Sequence, residues 1–224
     1  MLSRGEYLKE LGIDVWVERA THSLDTHTQL DDESGLDWAE LADRVASCTR
    51  CSLHSGRQQT VFGVGNQQAQ LMVIGEAPGA EEDKQGEPFV GRAGQLLNSM
   101  LRAVGFERGE VFIANILKCR PPQNRDPKPE EVIACGNFLE RQIELIAPSA
   151  ILAVGRIAAQ NLLKVDTPIG KMRGKTYQFS GSQHGKEIPE IVTYHPAYLL
   201  RSPNEKRKVW QDLQAVKRVL EPDQ

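Results

Sequence analysis

Long apolar runs are absent from this chain of 224 residues, and no stretch approaches the roughly 18 residues that a membrane span requires. The first residues, MLSRGEYLKELGIDVW, mix charges throughout and do not resemble a signal peptide. Cysteine is scarce, with four in the chain, which excludes a disulfide-rich secreted scaffold. We therefore expect a cytoplasmic protein whose cysteines bind a metal or take part in redox chemistry.

Nucleotide-binding loops are also missing. The stretch GVGNQQ (63–68) begins like a dinucleotide fingerprint, but it lacks the last glycine and precedes a predicted strand. Neither GEAPG (75–79) nor GRAG (91–94) leads into Gly-Lys-Ser or Gly-Lys-Thr, so the sequence contains no P-loop. None of these motifs indicates a nucleotide site.

Charge is unevenly distributed along the chain. Residues 1–47 contain four Lys/Arg and eleven Asp/Glu, whereas residues 48–224 contain 23 basic and 19 acidic side chains. The basic body is compatible with a nucleic-acid partner, although a mixed solvated surface has the same composition. The acidic, aperiodic segment 20–35 indicates a linker. We predict an N-terminal peptide (1–19), a linker (20–35) and one folded domain (36–224).

Strand and helix patterns alternate in the body. Four short apolar runs predict strands: LMVIGE (71–76), VFIANI (111–116), AILAVG (150–155) and EIVTYHP (190–196). Strands of this kind, with amphipathic helices between them, are typical of a parallel sheet covered on both faces. We predict a three-layer α/β/α sandwich around a central, mainly parallel sheet of four strands. Ligands bind beyond the carboxyl ends of such strands, which brings Glu76, Asn115 and His195 to one rim.

The cysteines follow the pattern C-x2-C, a long gap, then C-x15-C: Cys48, Cys51, Cys119 and Cys135. A zinc ribbon needs two close pairs, and only the first pair here is close. Two neighbouring thiolates and two brought in by the fold suit an iron–sulfur cluster. From spacing alone, a cluster, a structural zinc and unrelated buried cysteines all stay open.

Four ordered motifs give the sequence a specific resemblance: GEAPGAEED (75–83), EPFVGRAGQLL (87–97), NILKCRPPQNRDPKPEE (115–131) and YHPAYLLR (194–201). Together with the cysteine spacing they resemble the family 4 uracil-DNA glycosylases over residues 45–220. The resemblance implies a [4Fe–4S] cluster on the four cysteines. It also implies hydrolysis of the N-glycosidic bond of uracil flipped out of single- or double-stranded DNA, which leaves an abasic site and initiates base excision repair.

The resemblance further implies roles for individual residues. Phe89 stacks on the flipped base, Asn115 reads its edge, and His195 donates to the oxygen on which negative charge develops. Glu76 offsets the sugar cation and orients the water.

Three more positions belong to the implied pocket. Glu82 is a second candidate for the catalytic carboxylate, or alternatively excludes the methyl group of thymine. The backbone at Ala77 and Pro78 is expected close to the base.

DNA contacts are expected on two loops. The basic residues Lys118, Arg120 and Arg125 are predicted phosphate contacts beside a structural cluster. Beyond the histidine, the candidates for a wedge that fills the vacated stack are Leu199, Leu200 and Arg201, with Arg201 alternatively on a phosphate. The leucines could instead pack beneath the last helix.

The stretch YLKELGIDVWVER (7–19) is similar to the N-terminal peptide of the psi subunit of the bacterial clamp loader, which binds the chi subunit. Docking to chi, packing on the protein's own body and disorder all stay open for this peptide. We expect a nucleoid-associated monomer. The alternative function is a catalytically weak DNA-binding adaptor that recruits replication proteins through this peptide.

Overall fold

The computed structural model describes residues 33–181 and 187–221. In this part of the chain six strands form one sheet in the order β1-β3-β2-β4-β6-β5. The strands are β1 (Val64–Gly65), β2 (Leu71–Gly75), β3 (Phe112–Asn115), β4 (Ala150–Val154), β5 (Thr176–Ser180) and β6 (Glu187–Thr193).

The four central strands, β3, β2, β4 and β6, run parallel to one another. They confirm the predicted parallel sheet of four strands. Antiparallel strands flank both edges, with β1 paired to β3 and β5 paired to β6. The apolar runs did not reveal these two edges, because β1 has only two residues and β5 is mostly exposed.

Helices cover both faces of the sheet. They are α1 (Trp38–Ala46), α2 (Ala80–Gln85), α3 (Arg92–Ala103), α4 (Pro129–Ile146), α5 (Arg156–Leu163), α6 (Ile169–Met172), α7 (Pro196–Arg201) and α8 (Lys206–Leu220). One apolar cluster joins α1, α4 and α5 to one face of the sheet, and a second joins α3, α7 and α8 to the other. This is the predicted three-layer sandwich. No helix in the described residues has the length and apolarity of a membrane span.

The strands are apolar throughout because each face of the sheet is covered. Along β2, Met72 and Ile74 belong to the first cluster, whereas Leu71 and Val73 belong to the second. Alternate side chains of a strand point to opposite faces, so both sets are buried. The sheet is therefore a rigid support for whatever lies at its carboxyl edge.

The helix that precedes the first cysteine pair begins with a capping box. The Asp37 carboxylate accepts hydrogen bonds from the backbone N–H groups of Ala39 and Glu40, and Glu40 accepts one from the Asp37 N–H. Glu33 is buried and forms an ion pair with Arg50. The folded body thus reaches back to Glu33, three residues before the predicted boundary. The N-terminal peptide (1–19) and the linker up to residue 32 lie outside the described residues.

Candidate active site

A cleft of about 400 Å³ lies at the carboxyl ends of β2, β3 and β6. The side chains in its walls include all seven residues predicted for the base and for catalysis: Glu76, Ala77, Pro78, Glu82, Phe89, Asn115 and His195. Parallel strands bring their last residues to the same edge of a sheet, and the polar groups following three strands meet there. The structure therefore brings these predicted residues together in one site.

Gly75, the last residue of β2, lies between Asn115 and Phe89. A methyl group at Gly75 would be 2.5 Å from Asn115 Oδ1 and 2.6 Å from Phe89 Cζ, so there is no room for a larger side chain. Gly75 and Asn115 are register partners in neighbouring strands. Sequence reasoning missed Gly75, although a glycine inside a strand often marks such a close approach.

Asn115 presents an unpaired acceptor. Its side chain is 2% exposed, and Oδ1 is buried without a hydrogen-bond partner among the described residues. Leaving a buried polar group unpaired costs about 1–3 kcal/mol. A ligand that donates a hydrogen bond to Oδ1 would recover this cost.

His195 is held as a neutral imidazole with one free donor. It caps α7, and its Nδ1 accepts a hydrogen bond from the Ala197 N–H at 3.2 Å, which leaves the ring proton on Nε2. Burial, assisted by the positive charge of Arg201 and opposed by Glu82, lowers the pKa of His195 to about 4. The ring lies 5.6 Å from that of Phe89, at an interplanar angle of 30°.

Glu76 follows β2 directly and is partly buried in the cleft. Burial, and then the negative charge of Asp126, raise the pKa of this carboxyl to about 7, whereas Arg156 opposes the shift. Asp126 and Arg156 form an ion pair of 2.6 Å. At neutral pH Glu76 is therefore poised to gain or lose a proton, as a general base must.

Glu82 contacts the cleft differently. Its Oε1 accepts hydrogen bonds from the backbone N–H groups of Val90, at 3.0 Å, and Gly91, at 3.2 Å. The carboxylate is thus bound to the turn that contains Phe89. This oxygen already has two donors, which favours a role in holding the turn.

Two predicted DNA contacts are wrong. Lys118 is 1% exposed, and its Nζ donates to the Asn115 carbonyl at 3.0 Å and to Gln142 Oε1 at 2.6 Å, so it cannot reach a phosphate. Leu199 is 1% exposed and packs in the apolar cluster formed with α3 and α8, so it cannot insert into DNA. The alternative prediction, that this leucine packs in the core, is the one that the structure supports.

The other predicted DNA contacts lie at the surface near the cleft. Arg125 and Arg201 line it, and Leu200 is 39% exposed on α7. Arg125 donates to both carboxylate oxygens of Glu131, whereas Arg120 Nε donates to Asn124 Oδ1 at 2.8 Å. These four residues are placed where a bound strand could meet them.

The four cysteines line one small pocket, together with Arg57. Arg57 Nη1 donates to Cys119 Sγ at 3.1 Å, and the Lys118 N–H donates to Cys135 Sγ at 3.3 Å. Burial raises the thiol pKa of Cys51 and of Cys119, and raises that of Cys135 to about 12. Thiolates in this pocket would therefore need a positive charge beside them, which a bound metal supplies.

Within residues 33–181 and 187–221, no group of three or more His, Cys, Asp or Glu side chains is arranged to hold a metal ion. Four-iron clusters are held by four cysteine thiolates. The donor set, four cysteines with N–H groups directed at two of the sulfurs, fits a cluster.

Known proteins are similar to this chain over most of its length. The model of the uracil DNA glycosylase superfamily matches residues 62–214. The chain is 44% identical over 181 residues to the type-4 uracil-DNA glycosylase of Archaeoglobus fulgidus, which covers 79% of this chain and 90% of that protein. It is 46% identical over 180 residues to the type-4 enzyme of Thermotoga maritima, with 79% and 91% covered. A type-5 uracil-DNA glycosylase of Pyrobaculum aerophilum is 28% identical over 193 residues, with 71% and 82% covered. The chain therefore belongs to the type-4 family of the uracil-DNA glycosylase superfamily.

Proposed function

We propose that the protein is a monofunctional uracil-DNA glycosylase, which hydrolyses the N-glycosidic bond of uracil in single- or double-stranded DNA and leaves an abasic site. Its relatives carry this activity in their names. The observation that carries the proposal is the convergence of Phe89, Asn115 and His195 on one cleft. A base can enter this cleft only after the nucleotide has flipped out of the helix.

Asn115 selects the base through the polarity of its amide. Oδ1 accepts the N3–H of uracil, while the amide nitrogen donates to O4. Cytosine has an acceptor at N3 and a donor at the 4-position, so it would leave buried groups unpaired. Stacking on Phe89 contributes about 1–3 kcal/mol but does not distinguish one base from another.

His195 acts on the leaving group. As the bond between C1′ and N1 breaks, its electron pair moves onto the base and spreads to O2. The neutral imidazole donates its Nε2–H to O2, and this hydrogen bond strengthens as the charge develops. Because the pKa of His195 is about 4, the ring stabilises the anion as a hydrogen-bond donor and not as a cation.

Glu76 acts on the sugar. In its ionised form the carboxylate offsets the positive charge at C1′ and orients a water molecule for attack there. As the new C–O bond forms, the water loses a proton, and a carboxylate with a pKa of about 7 can accept it. We assign this step to Glu76 because Glu82 Oε1 is occupied by two backbone N–H groups.

The four cysteines hold a [4Fe–4S] cluster in this proposal. Bound there, it supplies the positive charge that buried thiolates need and ties remote segments together. Cys48 and Cys51 follow α1, Cys119 follows β3, and Cys135 lies within α4. The content of iron and acid-labile sulfide in the purified protein tests this assignment, and a colourless preparation made without air would contradict it.

DNA would lie across the cleft mouth, with Arg120, Arg125 and Arg201 near its phosphates and Leu200 as the wedge. A monomer in the cytoplasm, at the nucleoid, is the setting that we infer for this reaction. Binding of the clamp-loader chi subunit by residues 7–19 lies outside the described residues and stays a prediction.

Incubation with an oligonucleotide that contains one uracil, followed by alkali cleavage, tests the proposed activity. After incubation with wild type, alkali should cleave the uracil strand and leave a matched strand with thymine in place of uracil intact. His195→Ala should lower the single-turnover rate by about 100- to 1,000-fold. It should retain DNA binding in a gel-shift assay, and an equal loss of binding would show that His195 is merely architectural. No scission by wild type would refute the proposed function.

A further inference from the structure

The turn that contains Phe89 is held in an unfavourable backbone conformation. Phe89 has a φ of +53°, in the left-handed region, where a bulky side chain is rare. Such a conformation is strained and persists only when its surroundings enforce it. The turn also packs tightly against α3, since a methyl group at Gly94 would lie 1.7 Å from the Phe89 carbonyl oxygen. The ring that stacks on the base in the proposed function therefore depends on groups that hold this turn.

Arg108 donates hydrogen bonds to two backbone carbonyls of the turn. Its Nη2 donates to the Pro88 carbonyl at 2.6 Å, and its Nη1 donates to the Phe89 carbonyl at 3.3 Å. Nη1 also donates to Asn98 Oδ1 at 3.2 Å, which fixes the guanidinium against α3. The planar fork of an arginine can hold several acceptors at once, which the single ammonium of a lysine does less well.

Glu82 accepts hydrogen bonds from two backbone N–H groups of the same turn. One carboxylate oxygen accepts from the N–H groups of Val90 and Gly91, the two residues after Phe89. Arg108 and Glu82 therefore bind backbone groups of four consecutive residues, 88–91, with opposite charges on the two sides. Hydrogen bonds to charged groups are stronger than those between neutral groups, so these contacts can offset the strain at Phe89.

We propose that Arg108 and Glu82 are positioning residues that lock Phe89 in its left-handed conformation and so fix the stacking surface of the proposed uracil site. This inference rests on the proposed function. Without Arg108, two carbonyls lose their donors, Phe89 can relax to a negative φ, and the ring leaves its place beside Asn115 and His195. A displacement of about 1 Å at a reacting group can cost about 100-fold in rate.

The test is a double-mutant cycle. Arg108→Ala should lower the single-turnover rate of uracil release by about 10- to 100-fold, with little change in DNA affinity. In a Phe89→Ala background the same substitution should change the rate less than threefold, because Arg108 acts through the ring. Arg108→Lys should recover part of the rate. Arg102→Ala is the matched control and should behave as wild type, since Arg102 donates to the Asn98 backbone carbonyl and, among the described residues, shows no hydrogen bond to the turn.

A second readout does not depend on activity. Exchange of the amide hydrogens of residues 89–91 should speed up in Arg108→Ala and in Glu82→Ala, and stay unchanged in Arg102→Ala. The proposal is overturned if exchange is unchanged in Arg108→Ala. It is also overturned if Arg108→Ala lowers the rate equally with and without the Phe89 ring. If wild type releases no uracil, the proposed function fails, and the exchange result alone decides whether Arg108 and Glu82 hold the turn.

Discussion

The replacement Asn115→Asp tests how the base is read. An amide fixes its donor and its acceptor on different atoms, whereas the proton of a neutral carboxyl can sit on either oxygen. Burial raises carboxyl pKa values in this protein, to about 7 at Glu76 and about 8 at Glu190. At the 2% exposed position 115 an aspartate should therefore be protonated near pH 6. It could then pair with the N3 and O4 groups of uracil or with the N3 and N4 groups of cytosine.

The expected change in selectivity follows from the two hydrogen bonds at the base edge. A site that hydrogen-bonds its substrate rejects a mismatched analogue by about 10,000- to 100,000-fold, because each unpaired buried group costs about 1–3 kcal/mol. Removing the mismatch should lower the preference for uracil by roughly 3 kcal/mol, which is about 100-fold. The rate on uracil itself should fall less than the selectivity does.

Single-turnover rates on oligonucleotides with one uracil or one unpaired cytosine measure this ratio. Asn115→Ala is the control, because it removes donor and acceptor together and should lose activity on uracil without gaining any on cytosine. If Asn115→Asp keeps the wild-type ratio while Asn115→Ala loses activity, polarity at this position does not select the base. Another residue of the cleft would then have to select the base.

Three further substitutions probe the site and the core. Gly75→Ala places a methyl group within 2.7 Å of both Asn115 and Phe89, so uracil release should fall at least about 100-fold in single-turnover assays while DNA binding persists. In wild type the rate should rise with pH around pH 7, as Glu76 with its pKa of about 7 loses its proton, and the pH–rate profile of Glu76→Gln should be flat there. Glu190 is fully buried, neither carboxylate oxygen has a partner among the described residues, and burial raises its pKa from 4.5 to about 8. The native state therefore binds the proton more tightly than the unfolded state does. The free energy of unfolding should fall by up to about 5 kcal/mol as the pH rises from about 4.5 to 8. Urea unfolding should show a smaller fall in Glu190→Gln.

Each of these outcomes has a control or a contrary result. Gly109→Ala should match wild type, because Gly109 is exposed and a methyl group there meets nothing within 4 Å. A rise in rate near pH 7 that persists in Glu76→Gln would assign the titrating group elsewhere. Equal pH slopes of stability in wild type and Glu190→Gln would show that this carboxyl does not titrate between the two states.

The sequence was sufficient for the parallel core and for the place of the site. Buried strands are apolar on both faces, and the apolar runs LMVIG and AILAV therefore predict central strands of a parallel sheet. The residue that follows such a strand lies at the carboxyl edge of the sheet. The edge strand β5 carries no such signal. Its residues TYQFS alternate between polar and apolar, with Tyr177 and Phe179 towards the core and the other three exposed, so it lacks the apolar run of a central strand.

Packing beyond the local pattern decided the two errors at the DNA surface. In α7, which has only six residues, the pattern does not tell which of two adjacent leucines faces the core; contact with the α3 and α8 cluster buries Leu199 and leaves Leu200 exposed. Lys118 stands in a basic loop, yet its ammonium fills a buried space between the Asn115 carbonyl and Gln142. Gln142 is 24 residues away in the chain, and no local rule indicates that partner.

Buried Lys118 contacts both Asn115 in the cleft and Cys135 in the cysteine pocket. Its side-chain Nζ donates a hydrogen bond to the Asn115 carbonyl, and its backbone N–H donates one to Cys135 Sγ. The next residue in the chain is Cys119. The segment 115–119 thus has the amide that is proposed to select the base at one end and a cysteine of the proposed cluster at the other. A cluster bound by the four cysteines, as proposed, would join Cys119 to α4 and to the segment after α1 and so restrict movement of the strand end that presents Asn115. The unevenly spaced cysteines would in this way hold Asn115 in a fixed position, which discrimination by two hydrogen bonds requires.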